Sequence, residues 1–210
     1  MDSSLPSWMV HSCIGVAALT IPMVYFDGQL FGYHTTLMSA GYILCMGEGV
    51  LLASKAVVLP AGEDRLRLLK KHMYLQVAAW AAIVGGFYAI YHNKDIHGKP
   101  HFTSYHSWLG VLTLITTFLT PVTGALGFKY LGLMNYLPPG SGDVVKAIHR
   151  KQGSVVYFGS LFVILLGLYT PGINKGMLTY FMMASATAAT CMILHNYINK
   201  YDKQSLPGGP

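Results

Sequence analysis

The chain has 210 residues, 53% of them hydrophobic and 10% charged, with a mean hydropathy of +0.45. So few charges cannot cover a soluble globule, and the composition predicts an all-α membrane protein. The net charge of +6 resides in connections between apolar runs and offers no solvated basic face, which excludes a nucleic-acid footprint.

A span needs about 20 mostly apolar residues, and six segments qualify within a single domain, residues 1–210. The first, residues 8–26, has no basic leader, and Ile21-Pro22-Met23-Val24-Tyr25-Phe26 is no small-residue cleavage site. It reads as a helix of the mature protein and not as a signal peptide. The second covers residues 33–54 and is followed by a connection broken at Gly62. The third covers 71–91 and the fourth 105–127, with Pro121 inside the fourth. A kink is expected there, with Thr117 placed to satisfy the freed backbone group. Residues 128–146 make the longest connection, broken by Pro138-Pro139-Gly140 and long enough for a short surface helix. The fifth span covers 147–169 and is closed by Pro171-Gly172; the sixth covers 177–198, and a Gly-Gly-Pro tail ends the chain. Cys13, Cys45 and Cys191 fall in three different spans and read as packing residues.

Lysine and arginine fix the orientation. Lys55, Arg65, Arg67, Lys70, Lys71, Lys129, Lys146, Arg150, Lys151, Lys200 and Lys203 share one face, against Lys94, Lys99 and Lys175 on the other. The excess of cations places both termini on the cytosolic-equivalent side.

His34, His72, His106 and His149 each stand near the start of a different span. An imidazole at membrane depth is costly and is kept for a pathway, a partner or a cofactor. The second and fourth spans run inward, so His34 and His106 share the outer level. The third and fifth run outward, so His72 and His149 share the inner level. Any one of these could be a polar contact between helices. Four at matched depths form two pairs, the arrangement that bis-histidine ligation of two b-type haems requires, and stacked haems make a wire for electrons.

Small residues share the ligand faces. Gly110 and Gly153 follow His106 and His149 by four residues, and Gly41 and Ala79 follow His34 and His72 by seven. Bulk there would collide with a porphyrin, although small residues also serve close helix packing. Gln76, one turn from His72, is placed to bond a propionate or an imidazole. Glu48, the acid deep in a span, reads as a hydrogen-bonded structural carboxyl, with a proton relay as the alternative. His11 and His195 read as interfacial residues, and His97 and His101 as solvated ones. His92 follows Tyr91 at the outer end of the third span, where an anionic substrate would be met.

Ser104-Tyr105-His106-Ser107-Trp108-Leu109-Gly110 resembles the Ser-Leu-His-Ser-Trp-Leu-Gly motif of the cytochrome b-561 family, transmembrane ascorbate-dependent oxidoreductases. The stretch from His34 to Lys55, with Leu37-Met38, Gly41 and Gly47-Glu48-Gly49, is similar to that family's second helix. Lys71-His72 with Leu75-Gln76 is similar to its third, and His149 with Gly153 to its fifth. The resemblance spans roughly residues 30 to 170 and implies six transmembrane helices with a central four-helix haem-binding bundle, its haem core about residues 33–170. It implies that His34/His106 and His72/His149 ligate two b haems. Electrons from cytosolic ascorbate would pass to monodehydroascorbate or ferric iron opposite. Lys70, Lys71 and Lys55 match basic positions of the family's inner ascorbate site, and Tyr91-His92 matches its outer aromatic-histidine pair; for the lysines, orientation signalling is the competing explanation.

Three positions depart from the pattern: Thr35 where proline is usual, Tyr105 in place of leucine, and a longer connection before His149 that lacks the aromatic neighbour. Asp143 stands near the place of an expected arginine, with Lys146 the nearest cation. These spare the ligands and bear on ascorbate use. The scaffold has no activated nucleophile, phosphate-cradling loop or carboxylate pair, which leaves one-electron transfer as the suited chemistry. The competing class is a haem-bearing or structural subunit of a larger membrane complex that has lost turnover; as an independent enzyme, the chain would act alone or as a homodimer. A proton-coupled transporter is a distant third, because no span is unwound around a charged site.

Overall fold

The protein is described by a computed structural model covering the backbone of residues 6–170, 173 and 176–205, with side chains for all of these except Ser7, Thr190 and 194–205. Pro171-Gly172, Lys175, the Gly-Gly-Pro tail and the side chains of His195, Lys200 and Lys203 lie outside the described residues. Six long helices follow in order: α1 (Ser7–Tyr25), α2 (Leu30–Val57), α3 (Glu63–Ile96), α4 (Tyr105–Gly127), α5 (Ser141–Tyr169) and α6 (Met177–Ser205). The described residues contain no strand, so the protein is all-α. Helices α1 to α5 are each long and apolar enough to cross a membrane, and α6 adds an apolar stretch over Met177–Ile193.

Helices cover all six expected segments, with two differences in length. Helix α3 begins eight residues before Lys71, so Arg65, Arg67, Lys70 and Lys71 lie on helix and not in a loop. Acidic Glu63 and Asp64 in its first turn favour that start, since the unpaired N–H groups there attract negative charge. Helix α5 likewise begins at Ser141, and the short surface helix expected before it is a pair of 3-10 turns, Lys129–Leu131 and Leu133–Tyr136. Gly132, at φ 72°, joins the two turns in the left-handed region that glycine tolerates. Pro121 falls within an uninterrupted α4, and the Thr117 hydroxyl donates to Thr113 O at 2.7 Å.

The chain divides into two compact parts, Met1–His101 with Leu168–Pro210, and Phe102–Gly167. In the first, α1 packs against α2 and α6, and α2 packs along α3. Val10, Ile14, Ala17, Ala18 and Ile21 form the buried stripe of α1, while α6 buries Met182, Ala186, Ala189 and Ile193 at the same helical spacing. Ala79, Ile83, Gly86 and Ala89 form the buried face of α3. Between them, residues Ser39–Met46 of α2 are wound as a π-helix, whose Ser39 hydroxyl donates to Ala18 O on α1 at 2.9 Å. In the second part, α4 opens on a reciprocal cap: Ser104 Oγ accepts from Ser107 N at 3.2 Å, and Ser104 N donates to Ser107 Oγ at 3.0 Å. The motif serines therefore set the first turn of α4. Large apolar side chains such as Leu19, Met23, Leu112, Leu119 and Phe162 are exposed along the outer faces of both parts. In water such a surface would aggregate, whereas hydrocarbon is its natural solvent.

Candidate cofactor site

Each half-buried imidazole hands its Nδ1 hydrogen to a main-chain carbonyl on the neighbouring helix. In the first part, His34 Nδ1 donates to Gly86 O on α3 at 3.0 Å, and His72 Nδ1 donates to Gly49 O on α2 at 2.8 Å. In the second, His106 Nδ1 donates to Val163 O on α5 at 2.9 Å, and His149 Nδ1 donates to Thr120 O on α4 at 3.2 Å. The exchange is reciprocal within each antiparallel pair. Thr120 follows His106 by fourteen residues, Val163 follows His149 by fourteen, and Gly86 follows His72 by fourteen. At 1.5 Å per residue, each pair therefore carries its two imidazoles about 21 Å apart along the helices. Gly49 follows His34 by fifteen, and the additional residue is taken up in the π-helical turns of Ser39–Met46.

These bonds decide the chemistry of the rings. A carbonyl oxygen only accepts, so Nδ1 must carry the hydrogen, and a neutral imidazole then has its lone pair on Nε2. This is the tautomer that binds a metal, with the carbonyl fixing the ring plane and raising ligand basicity. Within each part the donor set thus fits haem iron: two neutral nitrogens, uncharged in an apolar setting, one toward each end of the helix pair.

Glycines make the approach possible. In the second part, a Cβ on Gly124 would come 2.9 Å from His149 Cε1, and a Cβ on Gly167 would come 2.9 Å from His106 Cε1. Each glycine sits four residues after the acceptor carbonyl, where the helix bends that oxygen toward its own N–H, so the ring must pass over a residue with no side chain. In the first part the acceptors themselves are glycines. A Cβ on Gly86 would meet Leu37 and Met38, and one on Gly49 would overlap the Gln76 amide. The expected role of Gly41 and Ala79 as relief for a porphyrin is corrected here: a Cβ on Gly41 would come 2.7 Å from Ile83 Cγ1 and 3.1 Å from Ala79 O. They let α2 and α3 approach closely. Gly110 has only an ordinary contact with Val163, and Gly153 has nothing within 4 Å. Gln76 donates to Met46 O at 3.5 Å, so its amide bridges to the end of the π segment and not to an imidazole.

Near the start of α3, Lys71 is exposed and Lys70 half-buried, both immediately before His72. Lys55, in the last turn of α2, reaches His11 Nε2 at 3.4 Å. His11 in turn donates through Nδ1 to both oxygens of Glu48, at 2.8 and 2.7 Å. His11 is thus no bland interfacial residue, and nothing in local sequence marked a pairing across 37 positions. Near the other end of α3, Tyr91 and His92 point to different neighbours. Tyr91 stacks on His101 with ring centroids 4.1 Å apart, while His92 stacks on Tyr88 at 5.9 Å. His101 Nε2 also meets Asp95 Oδ1 at 2.8 Å, so it is held and not simply solvated.

The sequence profile of the family described as eukaryotic cytochrome b561 matches residues 33–175, more than half of the chain. The chain is 28% identical over 176 residues to the "Probable transmembrane reductase CYB561D1" of Homo sapiens, covering 82% of this chain and 75% of that protein. It is 28% identical over 179 residues to the "Probable ascorbate-specific transmembrane electron transporter 1" of Oryza sativa subsp. japonica, covering 79% of this chain and 70% of the other. With the "Plasma membrane ascorbate-dependent reductase CYBRD1" of Mus musculus it shares 26% identity over 144 residues, 68% of this chain and 47% of the relative.

Proposed function

Since the chain belongs to the eukaryotic cytochrome b561 family, whose similar members are named transmembrane reductases, we propose that it carries single electrons across a bilayer. The donor is ascorbate at the cytosolic-equivalent face, and the acceptor is monodehydroascorbate or a ferric chelate opposite. The observation that supports this best is the set of four imidazoles, each with Nδ1 bound to a backbone carbonyl. His34 with His106 would hold an outer b haem, and His72 with His149 an inner one. When bound, two such haems would supply a one-electron path, and the four imidazoles are the residues that would hold them.

The remaining residues serve the two ends. Lys70 and Lys71, beside His72, attract an anionic donor and compensate its charge as it leaves water. Lys55 closes the same end of α2. Tyr91 and His92 border the acceptor's site. The basic excess on the inner connections orients the chain with both termini on the cytosolic-equivalent face.

A second reading, a haem-bearing subunit of a larger complex that has lost turnover, is favoured by Asp143. It stands near the place where the family is expected to have arginine, is almost fully exposed, and is engaged by Lys146 at 3.4 Å. Two measurements on the purified protein separate the readings. Pyridine haemochrome analysis should give two haems per chain, and stopped-flow mixing with ascorbate should reduce both. One haem or none would sink the ligand assignment. Two haems that ascorbate leaves oxidised would establish the subunit reading instead.

A further inference from the structure

The cluster of His11, Glu48 and Lys55 joins α1 to α2 and has no part in the ligation described above. Its three side chains form one chain of polar contacts. Lys55 Nζ lies 3.4 Å from His11 Nε2, and His11 Nδ1 lies 2.7 Å from Glu48 Oε2. An ammonium only donates and an ionised carboxylate only accepts, so the histidine is fixed as a neutral ring with hydrogen on Nδ1 and its lone pair on Nε2. The lone pair faces the lysine that meets the anionic donor. Glu48 is followed in the chain by Gly49, whose carbonyl anchors His72, so the cluster stands one residue from the inner imidazole's anchor.

The surroundings leave that assignment intact. Among the described residues, Lys55 is the charged group that reaches the pair. No bond among the described residues joins Cys13 on α1, Cys45 on α2, or Arg65, Arg67 and Lys71 on α3 to either residue. Helix α6 faces α1 with Met182, Ala186, Ala189 and Ile193 over its described side chains. The His11 side chain is 39% exposed and that of Glu48 22%, so one end of the pair touches water and the other is sheltered.

Resting on the donor reading above, we propose that His11 is the base that takes the proton released when ascorbate gives up an electron at the inner face. An enediol monoanion that loses one electron becomes an acid strong enough to shed its remaining O–H proton. The electron would leave to the oxidised haem that His72 and His149 would hold, the O–H bond breaks, and the proton goes to Nε2 of neutral His11. The products are the ascorbate radical anion and an imidazolium. Glu48, 2.7 Å from the other nitrogen, stabilises the imidazolium and holds the ring in the accepting tautomer. Lys55 releases its long contact with Nε2 in favour of the donor's full negative charge, since charge-assisted bonds are shorter and stronger. From His11 the proton passes to cytosolic water.

The test compares two reductants on full-length, haem-loaded protein. Ascorbate must lose a proton; the methyl viologen radical cation carries none. In His11→Gln, reduction by ascorbate should fall about 10–100-fold and its solvent deuterium isotope effect should change, as expected where a positioned base is removed. Reduction by methyl viologen radical should remain within about twofold, since the imidazole contributes only to proton-coupled steps. Glu48→Gln keeps the shape and removes the charge, so it should show a smaller loss with the same selectivity for ascorbate, and it carries the test if His11→Gln loses haem. A readout independent of turnover is the nitrogen NMR spectrum of histidine-labelled protein. The signal absent from His11→Gln should report a neutral ring protonated at Nδ1. Ascorbate reduction of His11→Gln at the wild-type rate and isotope effect would overturn the assignment while leaving the donor reading in place. Wild-type haems that methyl viologen radical reduces and ascorbate does not would overturn both.

Discussion

At the scale of single residues, the site depends on what the imidazoles lean against as much as on the imidazoles. Gly124 and Gly167 each lie against a histidine ring, although no motif in the sequence singles them out. Replacing Gly167 by valine should displace His106, cost about 1–3 kcal/mol by overpacking, and lower haem content from two to one per chain. Gly124→Val should do the same to His149. Haem stoichiometry and the low-spin absorption bands check both, and full loading in either variant would refute the ring contact. Lys71 makes a different kind of contribution. It is exposed, so its attraction for an anion acts through water and is screened by salt. Lys71→Ala should slow ascorbate reduction most at low ionic strength, converge with wild type as salt rises, and leave both haems bound. An unchanged rate at low salt would remove Lys71 from the donor site.

At the scale of the element, helix α2 is the unusual member. Its π-helical turns over Ser39–Met46 hold one residue more than an α-helix of the same length, and the His34-to-Gly49 interval exceeds the other three by that residue. Deleting Ala40 should therefore convert the segment to regular α-helix, keep both flanks in register and retain two haems. Deleting Val84 from regular α3 should rotate one end of that helix by about 100° relative to the other and abolish at least one haem. Loss of haem in the Ala40 deletion would show that the π segment does more than absorb a residue. Legibility differed among the elements for the same reason. The ends of α4 were plain because the Ser104 to Ser107 box begins it and apolar residues run to Gly127. The start of α3 was not, because Glu63 to Lys70 is a polar stretch that folds as helix beyond the apolar run.

At the scale of the whole molecule, each compact part contains one reciprocal helix pair carrying one imidazole toward either end. The fourteen-residue interval sets the axial separation of the two levels at about 21 Å. Iron centres held at those levels should be about 20 Å apart by pulsed electron paramagnetic resonance, given the same rise. A distance well beyond about 30 Å, the thickness of the hydrocarbon core, would contradict the assignment of one level to each leaflet.

Hydropathy and spacing alone determined the membrane class, the six spans and the four histidines, because a bilayer forces long apolar helices and makes each buried imidazole conspicuous. The order of those histidines along alternating spans also carries the expectation that they lie at two depths, which the proposed ligation rests on. Tertiary structure decided which nitrogen of each ring bonds the backbone, because the acceptor carbonyls of Gly86, Gly49, Val163 and Thr120 are backbone groups with no sequence identity of their own. It decided, too, that Gly41 and Ala79 serve the contact between α2 and α3, since small residues at helical spacing suit either a cofactor or a neighbouring helix. The partnership of His11 with Glu48 came from the fold alone. Two polar residues on different helices become a pair only when packing turns both stripes toward each other, and one sequence holds no record of that rotation.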